Sequence, residues 1–133
     1  MCGFSGIAFC NDTLRESYPQ GVERFRQAAG RVAHRGDTEH QELLLQQLWL
    51  SHYRLAFQDV ASGAQPMLSG DRQHVIVFNG EVYNHLTLRD EISHRTGIRF
   101  RTRSDTETII EGWKAFGEHF FQRLEGEYAF VIL

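Results

Sequence analysis

The chain has 133 residues, 41% of them hydrophobic and 23% charged, with two prolines and a formal net charge of −3. That is enough apolar material for one domain with its own core, without disulfides or a structural metal to hold it. Charges of both signs are interspersed, so there is no basic patch for nucleic acid and no polybasic tract for anionic lipid.

Residues 3–9 are small and apolar and read as a buried strand. Residues 18–32 predict a helix, with Val22, Phe25, Ala29 and Val32 on one face. Residues 48–57 are rich in apolar and aromatic side chains and read as a second strand. Residues 75–78 and Val82-Tyr83 flank Asn79-Gly80, a pair that predicts a tight hairpin turn. Residues 86–94 predict a short helix stopped at Gly97. Residues 99–103 alternate and read as a strand. Ser104-Asp105-Thr106-Glu107 has the capping-box pattern, with Ser104 as cap and Glu107 reaching back to it. The helix it opens carries Ile109, Ile110, Trp113 and Phe116 on one side, and Phe116, Phe120 and Leu124 continue at four-residue steps. Residues 127–133 form a last apolar strand that stops without turn, cap or polar tail, which predicts a segment of a longer protein. Strands and helices mix without strict βαβ alternation, so the expected class is α+β with antiparallel sheets.

The apolar runs are too short to cross a bilayer, and no charged segment followed by an apolar stretch opens the chain; neither a membrane nor a secretory signal is expected. Cys2 and Cys10 are the only cysteines. They fall along one expected strand, where a bridge would strain the backbone, so a reduced, cytoplasmic setting is expected. Seven histidines lie scattered without paired metal spacing, and no metal site is expected. No Walker-type loop or dinucleotide fingerprint occurs.

Cys2 becomes the mature N-terminus once Met1 is removed. It then offers a thiol nucleophile and a free α-amine in one residue, a known arrangement for amide hydrolysis. Singly, each further candidate has an ordinary structural reading. Cys2 can be a small buried hydrophobe, Arg54 an ion-paired strand residue, and Asp105 a complement to a helix dipole. His34-Arg35-Gly36-Asp37 can be a polar turn. Their order is more specific: MCGFSGI, HRGD, SHYRLAF, GAQP, VFNGEVYNH, SDTE, then LEGEYAFVIL.

This order closely resembles the glutamine-hydrolysing domain of the asparagine synthetase family, a class II (N-terminal nucleophile) glutamine amidotransferase, over essentially the whole chain. The resemblance implies a four-layer αββα sandwich of two antiparallel sheets, truncated at its C-terminus. Residues 2–133 would be the amidotransferase domain, and the synthetase domain would lie outside this chain. It implies Cys2 as nucleophile on the carboxamide carbon of L-glutamine, with its α-amine as base, a thioester intermediate, and release of ammonia and then glutamate. An unperturbed α-amine, with a pKa of about 7.7–8.0, suits that duty. Asn79 and Gly80 would hold the oxyanion. Arg54 would clamp the α-carboxylate. Asp105, with Glu81 nearby, would hold the α-ammonium. Leu55, Ala56, Phe57 and Gln58 would line the pocket through their backbone.

Two departures stand out. The family's HRGPD is His34-Arg35-Gly36-Asp37 here, without the proline. Its usual serine-isoleucine after the arginine-leucine pair is Ala56-Phe57, and the larger Phe57 would reshape the pocket floor. The resemblance implies no cofactor for this domain, with ATP and Mg confined to the synthetase domain. That domain is the expected partner that receives the ammonia, for aspartate or another carboxylate, and a homodimer is left open. Two rivals remain at this stage: a non-catalytic descendant serving interaction or regulation, and an N-terminal-nucleophile amidase for another substrate.

Overall fold

The computed structural model describes residues 2–9, 20–37, 39–45, 47–56, 59 and 61–133. The chain divides into two compact units, Met1–Leu55 and Ala56–Leu133. Each carries one three-stranded antiparallel sheet, which gives the α+β class expected from the sequence.

The first unit runs through β1 (Gly3–Ala8), α1 (Gly21–Ala29), a 3-10 helix (Gly30–Arg35), β2 (Glu39–Leu45) and β3 (Leu48–Arg54). β3 lies between β1 and β2. It is the buried strand of the sheet: Trp49, Leu50, Ser51, His52 and Arg54 are all inaccessible, whereas β1 is only partly covered. The helix expected over 18–32 is α-helical only from Gly21 to Ala29 and then tightens into the 3-10 turn at Gly30. Residues 10–19 lie outside the described residues. Phe25 of α1 faces Trp49 of β3, with ring centroids 6.5 Å apart. Arg26 bonds Glu42 at 2.8 Å, and Glu42 also accepts the Trp49 indole N–H at 3.2 Å. One carboxylate thus ties helix, edge strand and central strand together.

The second unit runs through β4 (Met67–Leu68), β5 (Val75–Val82), α2 (His85–Thr96), α3 (Asp105–Phe116), a second 3-10 helix (Glu118–Arg123) and β6 (Gly126–Ile132). β5 is central, between β4 and β6. Its side chains alternate, as strand geometry requires. Ile76, Phe78 and Val82 enter an apolar core with Leu88 and Ile92 of α2, Ile109 and Ile110 of α3, and Phe120. Val75, Val77 and Asn79 take the opposite face. α2 ends where expected, at Gly97 in the left-handed conformation (φ 75°).

Three local expectations are corrected. Asn79-Gly80 is not a hairpin turn: β5 runs straight through it, with Asn79 opposite Ala129 and Gly80 opposite Tyr128. Gly80 has φ 142°, and a Cβ there would meet the Glu127 carbonyl and the Tyr128 backbone. Glycine at this point therefore serves the close approach of β6 rather than a turn. Residues 99–103 are not a strand, because side chains take their backbone groups. Glu107, 1% exposed, accepts the N–H of Arg101 (3.0 Å) and of Thr102 (2.7 Å), and Thr102 Oγ1 at 2.7 Å. The capping box is half formed. Ser104 Oγ accepts the Thr106 N–H at 3.2 Å, but Glu107 reaches past the cap into this loop. The helix expected to continue through Leu124 breaks at Gly117, and Glu118–Arg123 is 3-10. β2 and β4 had no counterpart in the sequence reading.

Glu107 yields a stability prediction. Burial alone would raise its carboxyl pKa, but hydrogen bonds from Arg101 and Thr102 outweigh that and hold it below its usual range. Its contribution is therefore complete above the unfolded value of about 4.3 and is lost as pH falls through the lower folded value. Glu107→Ala should cost about 3–5 kcal/mol in urea unfolding at neutral pH, the usual loss when a buried paired charge is removed. The wild type should lose stability below about pH 4.3 more steeply than Glu107→Gln.

Candidate active site

In the first unit, register brings two candidate groups and one further acid into one row. β1 and β3 pair Gly3 with Tyr53, so Cys2, one step earlier, lies across from Arg54. On the other side of β3, Arg54 pairs with Glu39 of β2. Directly opposed residues point to the same face of a sheet. The Cys2 Sγ accepts the Leu55 N–H at 3.3 Å. The Cys2 carbonyl accepts the Arg35 Nε–H at 3.0 Å, which anchors the backbone of Cys2.

Arg35 was missed as a site residue. The signal was the glycine after it. A Cβ on Gly36 would collide with the Tyr53 carbonyl and the Arg54 backbone. Only glycine lets the end of the 3-10 helix lie against β3, and that contact delivers Arg35 to Cys2. Arg54 itself is buried, with Nη1 3.3 Å from Glu39 Oε2. Leu55 and Ala56 are half-buried beyond the end of β3, on either side of the division between the units. Phe57 and Gln58, expected to line the pocket, lie outside the described residues, as does Met1.

In the second unit, Asn79, Gly80 and Glu81 follow one another along β5, and Asp105 opens α3. The Asp105 carboxylate accepts the Val82 N–H at 3.0 Å, so β5 and the start of α3 are directly joined. A second joint runs through Gln65 of the GAQP segment. Its buried carboxamide accepts the Phe78 N–H at 2.6 Å and donates to Thr106 Oγ1 at 3.3 Å. Gln65 thereby links the residue before Asn79 to the residue after Asp105. Sequence reading assigned it no role, because a glutamine in a loop carries no local sign of a partner forty residues away.

Three groups of this unit are costly for folding alone. The Asn79 Oδ1 is buried without a hydrogen-bond partner among the described residues, and such an atom ordinarily costs about 1–3 kcal/mol. Burial pushes the Asp105 carboxyl above the usual carboxylate range, although the Val82 N–H and the neighbouring His85 pull it down. His85, buried with Nδ1 likewise unpartnered, is pushed below the usual histidine range, first by burial, with Asp105 acting against it. Unpaired or shifted polar groups of this kind collect where a ligand completes them. Asp105 is thus less free for a ligand than the sequence suggested, since Ser104 caps the helix but Val82 still claims one carboxylate oxygen. Among the described residues, no group of three or more His, Cys, Asp or Glu side chains is placed to hold a metal ion, and no helix is long and apolar enough to cross a membrane.

A family model described as "Glutamine amidotransferase domain" matches residues 1–133. The chain is 36% identical over its full length to asparagine synthetase [glutamine-hydrolyzing] 3 of Arabidopsis thaliana, and covers 22% of that protein. It is 35% identical over its full length to the root asparagine synthetase [glutamine-hydrolyzing] of Pisum sativum, again covering 22%. The chain thus spans about a fifth of the length of the curated relatives it matches. Among solved structures it is similar to a glutamine phosphoribosylpyrophosphate amidotransferase from B. subtilis, solved with ADP and GMP. The TM-score is 0.54 at 24% identity, over 65% of this chain and 21% of that one. At that identity the likeness speaks for the fold alone, and it agrees with the two-sheet architecture.

The raised Asp105 carboxyl sets a stability prediction. An acid whose folded pKa lies above its unfolded value opposes folding as pH rises through that window, because the fold disfavours the ionised form. Asp105→Asn should therefore raise the unfolding free energy of the ligand-free protein at neutral pH, by roughly 0.5–2 kcal/mol, the usual gain from one stabilising substitution. At a pH below the unfolded aspartate pKa of about 3.9 the gain should vanish. Urea titrations at the two pH values measure it.

Proposed function

The chain belongs to the glutamine amidotransferase domain family, and we propose that it hydrolyses L-glutamine to L-glutamate and ammonia through a thioester on Cys2. The observation that carries this reading is the setting of residue 2. Its sulfur receives a backbone N–H, its carbonyl is anchored by Arg35, and Arg54 lies across the sheet from it.

Removal of Met1 frees the Cys2 α-amine, which takes the thiol proton at near-neutral pH. Arg54 takes the α-carboxylate of glutamine. A guanidinium is suited to two carboxylate oxygens at once. Asp105, with Glu81, takes the α-ammonium, and that cation offsets the cost of a buried carboxylate. The backbone of Leu55 and Ala56 lines the side-chain slot. The thiolate adds to the carboxamide carbon, and the negative charge that develops on oxygen is held by the Asn79 amide and the Gly80 N–H. The carboxamide nitrogen takes a proton and leaves as ammonia. Water then adds to the thioester, and glutamate departs.

In the longer parent protein implied by the relatives' length, the ammonia passes to an ATP-dependent synthetase domain of the asparagine synthetase type. Residues 2–133 form the amidotransferase part, and ATP and Mg belong to that other domain. The setting is cytoplasmic.

Glutamate release from the methionine-processed protein tests this. Cys2→Ala should abolish it. Asn79→Ala should lower kcat about 10²–10³-fold, as for loss of one oxyanion donor, and Arg54→Gln should act mainly through KM. A protein whose intact mass shows Met1 retained should be inactive. Absence of release from processed full-length protein would make the chain a non-catalytic relative, and turnover with Met1 in place would refute the α-amine as base.

A further inference from the structure

We infer that Glu39 is a resident competitor for the Arg54 guanidinium, and that it sets how tightly the substrate α-carboxylate is held. This rests on the reading of Arg54 as the α-carboxylate clamp. Glu39 is the cross-strand partner of Arg54 in the β2–β3 register. Its Oε2 lies 3.3 Å from Arg54 Nη1. The two sides of the pair differ in exposure: the Arg54 side chain is 7% accessible and the Glu39 side chain 34%. The cation is thus enclosed while the anion keeps a path to water.

The contact is a loose one. Charge-assisted guanidinium–carboxylate bonds are commonly about 2.7–2.9 Å and often paired; the Glu39 Oε2–Arg54 Nη1 contact is longer, at 3.3 Å. The other Glu39 oxygen, Oε1, accepts from Gln41 Nε2 at 2.6 Å. The carboxylate is therefore shared between a neutral amide on its own strand and the arginine. It is placed close enough to keep the buried guanidinium neutralised when no ligand is bound, and too loosely to keep out a carboxylate that can engage the guanidinium with two oxygens. A bound α-carboxylate then meets a negative charge already beside its clamp. That charge weakens every ligand carrying an α-carboxylate and leaves untouched a ligand without one.

The test is binding, so that it does not depend on turnover. In the Cys2→Ala full chain, affinities for L-glutamine and L-glutaminamide, whose α-carboxylate is replaced by a neutral amide, are measured by calorimetry. Glu39→Gln keeps shape and hydrogen bonding and removes the charge. It should tighten L-glutamine about two- to fivefold, the scale of one partly exposed ion pair, and leave L-glutaminamide unchanged. Glu39→Ala should shift in the same direction and covers the case in which the first variant does not fold. In the active protein the same gain should appear in KM rather than kcat. Unchanged or weaker L-glutamine binding overturns the inference, as does an equal gain for both ligands. Arg54→Gln separates the two levels. If it weakens L-glutamine while Glu39→Gln has no effect, the clamp stands and the competitor falls; if it leaves L-glutamine unchanged, the clamp reading itself fails.

Discussion

A carboxylate cannot remain ionised in an apolar interior unless donors surround it, and in the second unit Glu107 imposes that requirement on everything near it. Its side chain is enclosed by the core, so the loop before α3 has to turn its own N–H groups inward to meet it. That turn leaves residues 101–103 unable to pair as a strand. It brings Ser104 to the cap position and starts the helix with Asp105 facing β5. Arg89 of α2 completes the arrangement by donating to the Thr102 and Ser104 carbonyls and stacking over Phe100. The direction of Asp105 thus follows from where a neighbouring acid finds its donors.

How much of this could be read from the sequence depends on the range of the interaction. Local signals were legible. Gly97 ends α2, Ser104 caps α3, and the apolar spacing of Ile109 and Ile110 faces the core because each depends on neighbours three or four residues away. Readings failed where partners lie far off. Asn79-Gly80 has the chemistry of a turn, but pairing with Ala129 and Tyr128 overrides that preference, and the same tolerance of positive φ serves a crowded strand crossing. β2 went unread because an edge strand with the composition EHQELLL shows little apolar alternation. The roles expected of Cys2, Arg54, Asn79, Gly80 and Asp105 came from motif order. What supports them did not, since Arg35, Gln65 and Glu39 acquire meaning only from the register and the fold.

The two units reach their arrangements by different means. The first is organised by register: one row across β1, β3 and β2 sets Cys2, Arg54 and Glu39 side by side, and Gly36 admits Arg35 from the flank. The second is organised by side chains that substitute for backbone partners, with Gln65, Asp105 and Glu107 each accepting a main-chain N–H. Register tolerates surface substitution but not slippage, because a one-residue shift turns the whole row to the other face. Side-chain substitution tolerates neither loss nor shortening, because a buried N–H is left bare. The first unit should therefore accept sequence drift more readily than the loops of the second.

The uninterrupted course of β5 also bears on chemical ageing. An asparagine followed by glycine is the dipeptide most prone to cyclise, because the unhindered glycine nitrogen can attack the side-chain amide and convert it to an acid. In a flexible hairpin turn that attack is easy. In β5 the extended backbone, paired with β6 at both residues, disfavours the folded-back geometry that the attack needs. The strand that positions Asn79 therefore also preserves it as an amide, and the lifetime of that group is tied to how often β6 peels away.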